Sequence, residues 1–438
     1  MAGALERNKD SPAPPLGFPS LLALGINGVV GVGIFFAPRE VAAAVPGWRG
    51  IAVYFFVALL LLPTGLVYAR LGRAFPADGG PYLYAREAFG TTTAFAVGFT
   101  TYLSALFSTS TVMVGLVENA SGSFGIEDGG ARLAIELVLL TLLSGALSLG
   151  LRISAVTWSV VTVIKAAPLV ALPLAAFWVT LPPGALVLTA PRAIPPAPIS
   201  VLSAALPVLF ALQGFEVVPL PAAQVKNPER SVPLATVGTL IFAALLYMAL
   251  HASCVRALPD LPNHELPLAD AARVYGGPSF ARVVAGATSL SALGIVIGML
   301  AMTPRYLAPL GQSDALGFEL DRLSPRAVPL RAFTVTYVLL FAILLANARW
   351  GSIRNLLALS SLSVTLQYAV TATALFVLAS RRAAGLRRWE RWPAPFALLS
   401  FVLFLLGSSR LEVPVLMAMI VLGFVVRAMG RARRASAG

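Results

Sequence analysis

Gly25-Ile26-Asn27-Gly28-Val29-Val30-Gly31-Val32-Gly33-Ile34-Phe35 is the stretch that decides how this chain is read. Its flanks are apolar for long enough to cross a bilayer, yet four of these residues are glycine, each costing about 1 kcal/mol relative to alanine inside a helix. A continuous helix is not expected there. Spacing alone leaves two readings: glycines that let neighbouring membrane helices approach closely, or a span that unwinds near its middle. A second span favours unwinding. Around Phe210-Ala211-Leu212-Gln213-Gly214-Phe215-Glu216 the chain carries Pro207, Gly214, Pro219 and Pro221, so this helix too is expected to break. The two interrupted spans lie five apart.

Working outward, 58% of the 438 residues are hydrophobic and 12% charged, with a mean hydropathy of +0.84. Bilayer rather than water is the solvent such a composition suits. Apolar runs of about 20 residues, the length needed to cross roughly 30 Å of hydrocarbon, recur throughout. They place twelve spans near 18–45, 49–73, 91–117, 130–150, 154–180, 200–222, 234–255, 280–303, 332–348, 352–379, 394–409 and 413–427. The expected class is an all-α membrane protein. Residues 1–16 read as a cytoplasmic tail, 17–428 as one transmembrane domain and 429–438 as a basic cytoplasmic tail. The first span shows no small-residue cleavage site and is expected to be retained.

A net charge of +13 could suggest nucleic acid, but no basic face is interleaved with aromatics, so no nucleic-acid partner is expected. Topology accounts for the charge better. Arg70, Arg73, Arg86, Arg152, Lys226, Arg230, Arg305 and the arginines from Arg381 to Arg391 fall in alternate loops, on the same side as both tails, and the other side is sparser. That asymmetry places both termini in the cytoplasm, in a multi-pass cell (inner) membrane protein. One cysteine, Cys254, and two histidines, His251 and His264, make a disulfide framework or a metal site improbable. No cofactor is expected.

Paired broken helices at equivalent positions of two five-span halves point to an inverted-repeat transporter with its site at the membrane midplane. Freed N–H groups at a half-helix N-terminus suit a carboxylate, and freed carbonyls suit an ammonium. An amino acid meets both demands.

The residues resemble the amino acid–polyamine–organocation transporters. Asn27-Gly28-Val29-Val30-Gly31-Val32-Gly33-Ile34-Phe35 is similar to that family's first-span signature, and Phe75-Pro76-Ala77-Asp78-Gly79-Gly80-Pro81-Tyr82 to its second-loop motif. Gly214-Phe215-Glu216 followed by Lys226-Asn227-Pro228-Glu229-Arg230-Ser231-Val232-Pro233 is similar to its sixth-span exit. The resemblance implies a LeuT-like fold: inverted repeats near 17–180 and 200–380, helices 1 and 6 discontinuous, and two extra helices near 394–428. It also implies substrate binding by Asn27, Gly28, Val30, Gly31 and Gly33 around the carboxylate, and by Phe210, Ala211, Gln213, Gly214 and Phe215 around the amino group and side chain. Gln224 stands where the family commonly has an acid, and Val32 where a small residue is frequent.

Lys165 lies about twelve residues into its span, roughly 18 Å from the cytoplasmic end at 1.5 Å per residue. A lysine at that depth costs about 2.5–3.5 kcal/mol on insertion scales and calls for a partner or a water path. In some members of the resembled family the matching lysine takes the place of a sodium ion, which implies that Lys165 reaches the first-span break and Ser291. Two roles stay open: a proton carrier coupling proton entry to solute entry, or a fixed ammonium pinning carbonyls. Glu216 offers a similar choice between proton or cation binding and bracing of the break. His251 reads as a satisfied packing histidine, and Arg39 with Glu40 as a gate or an interfacial ion pair.

Phosphate-binding loops and acid–base pairs are not evident, so neither ATP hydrolysis nor catalysis is expected. The expected function is secondary, proton-coupled symport of amino acids, its partners being an amino acid, protons and membrane lipid. An amino acid or polyamine exchanger is the nearest alternative, with a non-transporting sensor or a channel further off. The sequence leaves side-chain preference and oligomeric state open.

Overall fold

The computed structural model describes residues 17–31, 33–75, 80–126, 128–149, 155–179, 198–219, 225–312, 328–408 and 412–435, together with Leu320, Arg322 and Ser324. Among them the chain is helical throughout and forms no strand. Eight helical segments among the described residues are long and apolar enough to cross a bilayer singly. Together with the apolar pattern, this makes the chain an integral, multi-pass membrane protein.

The first interrupted span is two helices, α1 (Phe18–Val29) and α2 (Gly33–Ala44), bent by 51°. Next come α3 (Gly50–Ala74), the short α4 (Gly80–Phe89), α5 (Thr91–Phe124), α6 (Gly129–Ser148) and α7 (Ala155–Trp178). The second interrupted span is α8 (Pro198–Leu212), ending in a 3-10 turn, Phe215–Val217. Then follow α9 (Pro228–Ala257), α10 (Pro267–Gln312), α11 (Leu330–Trp350), α12 (Ile353–Ser380), α13 (Pro393–Leu406) and α14 (Glu412–Ala435).

Several boundaries differ from those expected. α9 starts at 228 rather than 234 because Asn227 adopts left-handed geometry (φ 56°) and its carbonyl accepts the N–H groups of Arg230 and Ser231, with Pro228 at the first helical position. α10 begins at 267, turns at Gly276 and Gly277 and runs on to 312. α14 continues to Ala435, into the stretch expected as a tail. Pro207 does not end α8: the helix passes through it, and the Ser361 hydroxyl donates to the neighbouring Leu206 carbonyl at 3.2 Å. The break falls later, at Gln213 and Gly214.

α5 runs through the centre, buried along most of its length against α10 and α12. Its interior face is rich in hydroxyls, which a helix can hold in apolar surroundings by donating to its own backbone one turn earlier. Thr100 donates to Ala96, Thr109 to Ala105, Ser110 to Leu106 and Thr111 to Phe107. Between helices, Ser108 meets Ser360 at 2.6 Å and Tyr102 meets Thr336 at 3.1 Å. The periphery is apolar and exposed, with Leu142 on α6, Leu245 on α9, Val338 on α11 and Leu422 on α14. That is the face a bilayer covers.

Candidate functional site

α1 loses its hydrogen bonds after Val29. Val30 N–H still closes on the Ile26 carbonyl at 2.8 Å, but its ψ of 81° takes the chain out of the helix. The Val29 carbonyl at this end accepts from the Tyr247 hydroxyl of α9, at 2.8 Å. A buried tyrosine needs such a partner, and a helix end inside a membrane needs such a donor.

Gly214 supplies the second break, at φ 112°, where side chains are strained. Its N–H donates to the Glu216 carboxylate at 2.8 Å. The two breaks meet backbone to backbone: a Cβ placed on Gly214 would lie 2.3 Å from the Gly28 carbonyl oxygen, and one on Gly28 would lie 3.0 Å from the Gly214 carbonyl oxygen. Gly33, opening α2, is pressed against α8 so closely that its Cβ would fall 2.6 Å from Ala211 Cα. Close approach thus demands glycine at 33 and 214, while a side chain at 28 would oblige the facing backbone to give by a few tenths of an ångström.

Asn27 and Gly28 close α1, Val30 and Gly31 occupy the gap, and Gly33 begins α2. Phe210 and Ala211 lie on the last turn of α8, facing Gly33, and Gln213, Gly214 and Phe215 form the turn beyond. The structure therefore brings the two expected halves of the site together. Gln213 Nε2 is buried with no hydrogen-bond partner among the described residues. Phe215 packs into an aromatic cluster with Tyr68 and Tyr368, ring centroids 6.3 and 5.7 Å away, and Gln367 donates to the Tyr68 hydroxyl at 2.8 Å. The Tyr368 hydroxyl sits beside the Glu216 carboxylate.

A Cβ on Gly31 would come within 3.4 Å of Ile295 on α10. Ser291, one turn before Ile295, is buried, and its Oγ has no partner among the described residues. Lys165 belongs to α7 by its backbone, but its side chain lies outside the described residues, as do Val32 and Gln224. Beside α2 a cavity of about 10 Å³, room for one water, is lined by Phe35, Phe36, Asn119 and Thr288. Arg39 pairs with Glu40 at 3.3 Å nearby. His251 is fully buried and packs against Tyr54, with ring centroids 5.1 Å apart, but neither ring nitrogen has a hydrogen-bond partner among the described residues, so it is not the satisfied histidine expected.

Sequence reasoning missed Tyr247. The available signal was a tyrosine in an apolar span whose hydroxyl needs an acceptor. Also missed was the direct backbone contact between the breaks.

A multi-pass helical membrane protein with two interrupted helices whose breaks approach at paired glycines is the class that fold and site define. The pattern of the Amino acid permease family matches residues 16–430, and the chain belongs to that family. Among curated proteins it is similar to "Cationic amino acid transporter 3, mitochondrial" of Arabidopsis thaliana, 31% identical over 117 residues, covering 26% of this chain and 19% of that protein. It is also similar to "Inner membrane transport protein YbaT" of Escherichia coli (strain K12), 29% identical over 114 residues, covering 26% of this chain and 25% of the other. "Cationic amino acid transporter 7, chloroplastic" of Arabidopsis thaliana is 27% identical over 106 residues, covering 24% of this chain and 18% of that one. These matches span a quarter or less of each relative's length.

Proposed function

We propose that the protein carries amino acids across the bilayer by secondary, proton-coupled transport, as a twelve-span LeuT-like bundle with both termini cytoplasmic, in the cell (inner) membrane. In this reading the repeats are residues 17–180 and 200–380, with extra helices at 394–428, a tail at 1–16 and a second tail at 429–438. The observation that carries it is the close approach of α1, at Gly28, to the turn beyond α8, at Gly214. Interrupted backbone inside a membrane is tolerated where it is buried in protein or lines a path, and half-helix ends there can meet the two charges of an amino acid. Family membership across most of the chain and the printed names of the relatives support the same reading.

The N–H groups opening α2, around Gly33, would take the substrate carboxylate, with Asn27, Gly28, Val30 and Gly31 forming the edge of that site. The ammonium and side chain would face Phe210, Ala211, Gln213, Gly214 and Phe215. Gln213 Nε2, unpartnered among the described residues, could donate to a polar substrate side chain there but not to the ammonium. Lys165 would hold and release the proton, with Ser291 beside the break to receive a hydrogen bond from it. For Glu216, the hydrogen bond from Gly214 favours the bracing role, leaving its charge available to a cationic substrate.

Uptake of labelled amino acids into proteoliposomes, under an inward proton gradient without sodium, tests this reading with native protein and Lys165→Ala. Accumulation that collapses with a protonophore and disappears in the variant is expected. Uptake only against internal amino acid, indifferent to pH, would make the protein an exchanger. No uptake of any of alanine, leucine, lysine or arginine would overturn the assignment.

A further inference from the structure

At the end of α12 the chain turns back to α13 through Arg387-Arg388-Trp389-Glu390-Arg391-Trp392, with a 3-10 turn over Arg388–Arg391. Five arginines, from Arg381 to Arg391, stand here against one acid. That acid is withdrawn. Glu390 is 2% exposed, its carboxylate accepts from Arg73 and from the Arg387 N–H, and its carbonyl accepts from Arg70. The Arg70 guanidinium also lies 5.3 and 5.2 Å from the Trp389 and Trp392 ring centroids. These contacts fix the turn to α3 from inside and leave its outer side positive.

The outer side is a cleft of about 510 Å³ between Phe376, Arg388, Trp389, Arg391, Trp392 and Pro395. Both indoles are exposed, Trp389 by 60% and Trp392 by 47%, as are Phe376 and Phe396 on the membrane side. Arg391 is held over the Phe376 ring at 5.2 Å while donating to the Ser380 hydroxyl, which leaves its other N–H groups free to donate. Exposed indoles at the ends of apolar helices mark the bilayer interface. Guanidinium groups there suit a phosphate diester, since Arg presents paired donors. An apolar wall continuing from them toward the hydrocarbon has no use for a soluble anion, but suits one carrying acyl chains.

We propose that this cleft binds an anionic phospholipid, its phosphate against Arg388 and Arg391 and its chains along Phe376 and Phe396. The site does not depend on what the protein carries; it requires only that α12 and α13 stand in a bilayer.

The test uses purified full-length protein with phosphatidylglycerol and phosphatidylcholine of the same acyl chains, read by native mass spectrometry. Phosphatidylglycerol is expected to be retained over phosphatidylcholine. In Arg388→Ala/Arg391→Ala its affinity should fall about thirtyfold, the equivalent of about 1 kcal/mol for each basic group at an anionic surface. Arg349→Ala/Arg354→Ala, at the other end of α11 and α12, should leave it unchanged. A second measurement on the native protein needs no variant: phosphatidylglycerol brominated on its chains should quench tryptophan fluorescence more strongly than brominated phosphatidylcholine. Equal quenching by the two lipids, undiminished affinity in the double variant, or displacement of the lipid by an equal concentration of inorganic phosphate would overturn the proposal.

Discussion

The carbonyl oxygen of Gly28 and the α-carbon of Gly214 face each other so closely that no side chain fits between them. Two helices interrupted far apart in sequence are thus joined at their interruptions. Whatever moves one break must displace the other.

Gly214→Ala places a methyl group 2.3 Å from the Gly28 oxygen on a residue at φ 112°. The conformational strain alone is about 1–3 kcal/mol, and the contact adds to it. Uptake is expected to be lost and the melting temperature in detergent lowered. Gly28→Ala, with 3.0 Å available, should be milder on both counts. Equal effects would mean that the two backbones do not meet as described.

Tyr247→Phe leaves the Val29 carbonyl without its donor, at a cost of about 1–3 kcal/mol for a buried unsatisfied group. Tyr54 offers the contrast: its hydroxyl is buried without a partner among the described residues, so Tyr54→Phe should be neutral or stabilising. Thermal unfolding of the two variants side by side reads the difference directly.

Glu216→Gln keeps an oxygen to accept the Gly214 N–H while removing the charge; Glu216→Ala removes both. If bracing is the main role, the glutamine variant transports neutral amino acids at near-native rates and the alanine variant is destabilised by about 1–3 kcal/mol. Loss of only cationic substrates in the glutamine variant would assign the carboxylate to the ligand instead.

Outside the membrane, His264 bridges Asp270 at 2.8 Å and Asp260 at 3.1 Å, clasping the end of α9 to the start of α10. The hydrogen bond from His264 holds the Asp260 carboxyl below its ordinary range. A depressed carboxyl stabilises the folded state above its unfolded value, near 3.9, and that contribution fades as pH falls through the lower folded value. Melting temperature measured downward from pH 5 should therefore decline less steeply in Asp260→Asn than in the native protein. Parallel curves would remove Asp260 from the acid response.

Much of this fold is written in local chemistry. Glycine at 25, 28, 31 and 33 announces the first break, and Gly214 the second, because neither stretch can hold a helix cheaply. Pro207 misleads, because a proline removes one hydrogen bond from a helix without having to end it, and α8 runs through it to Leu212. The start of α9 was displaced for a different reason: hydropathy begins at 234, but Asn227 and Pro228 set the helix going earlier through geometry that apolar length does not register. The contact of Gly28 with Gly214, and Tyr247 beneath Val29, depend on how distant helices cross. No spacing within one span contains that information. The Glu216 bond to Gly214 is local, two residues apart, and was open to anticipation once the turn was known.

The hydroxyls of α5 carry one more implication. Thr100, Thr109, Ser110 and Thr111 each point their proton back along their own helix, so what they present sideways is lone pairs. At the 3.3 Å contact between Thr109 and Thr303, the proton must then come from Thr303. The helix at the centre of the protein thus divides its polar groups: these four keep their protons for their own backbone, while Ser104 and Asn119 donate outward, to the Ser360 carbonyl and to the Ser289 hydroxyl.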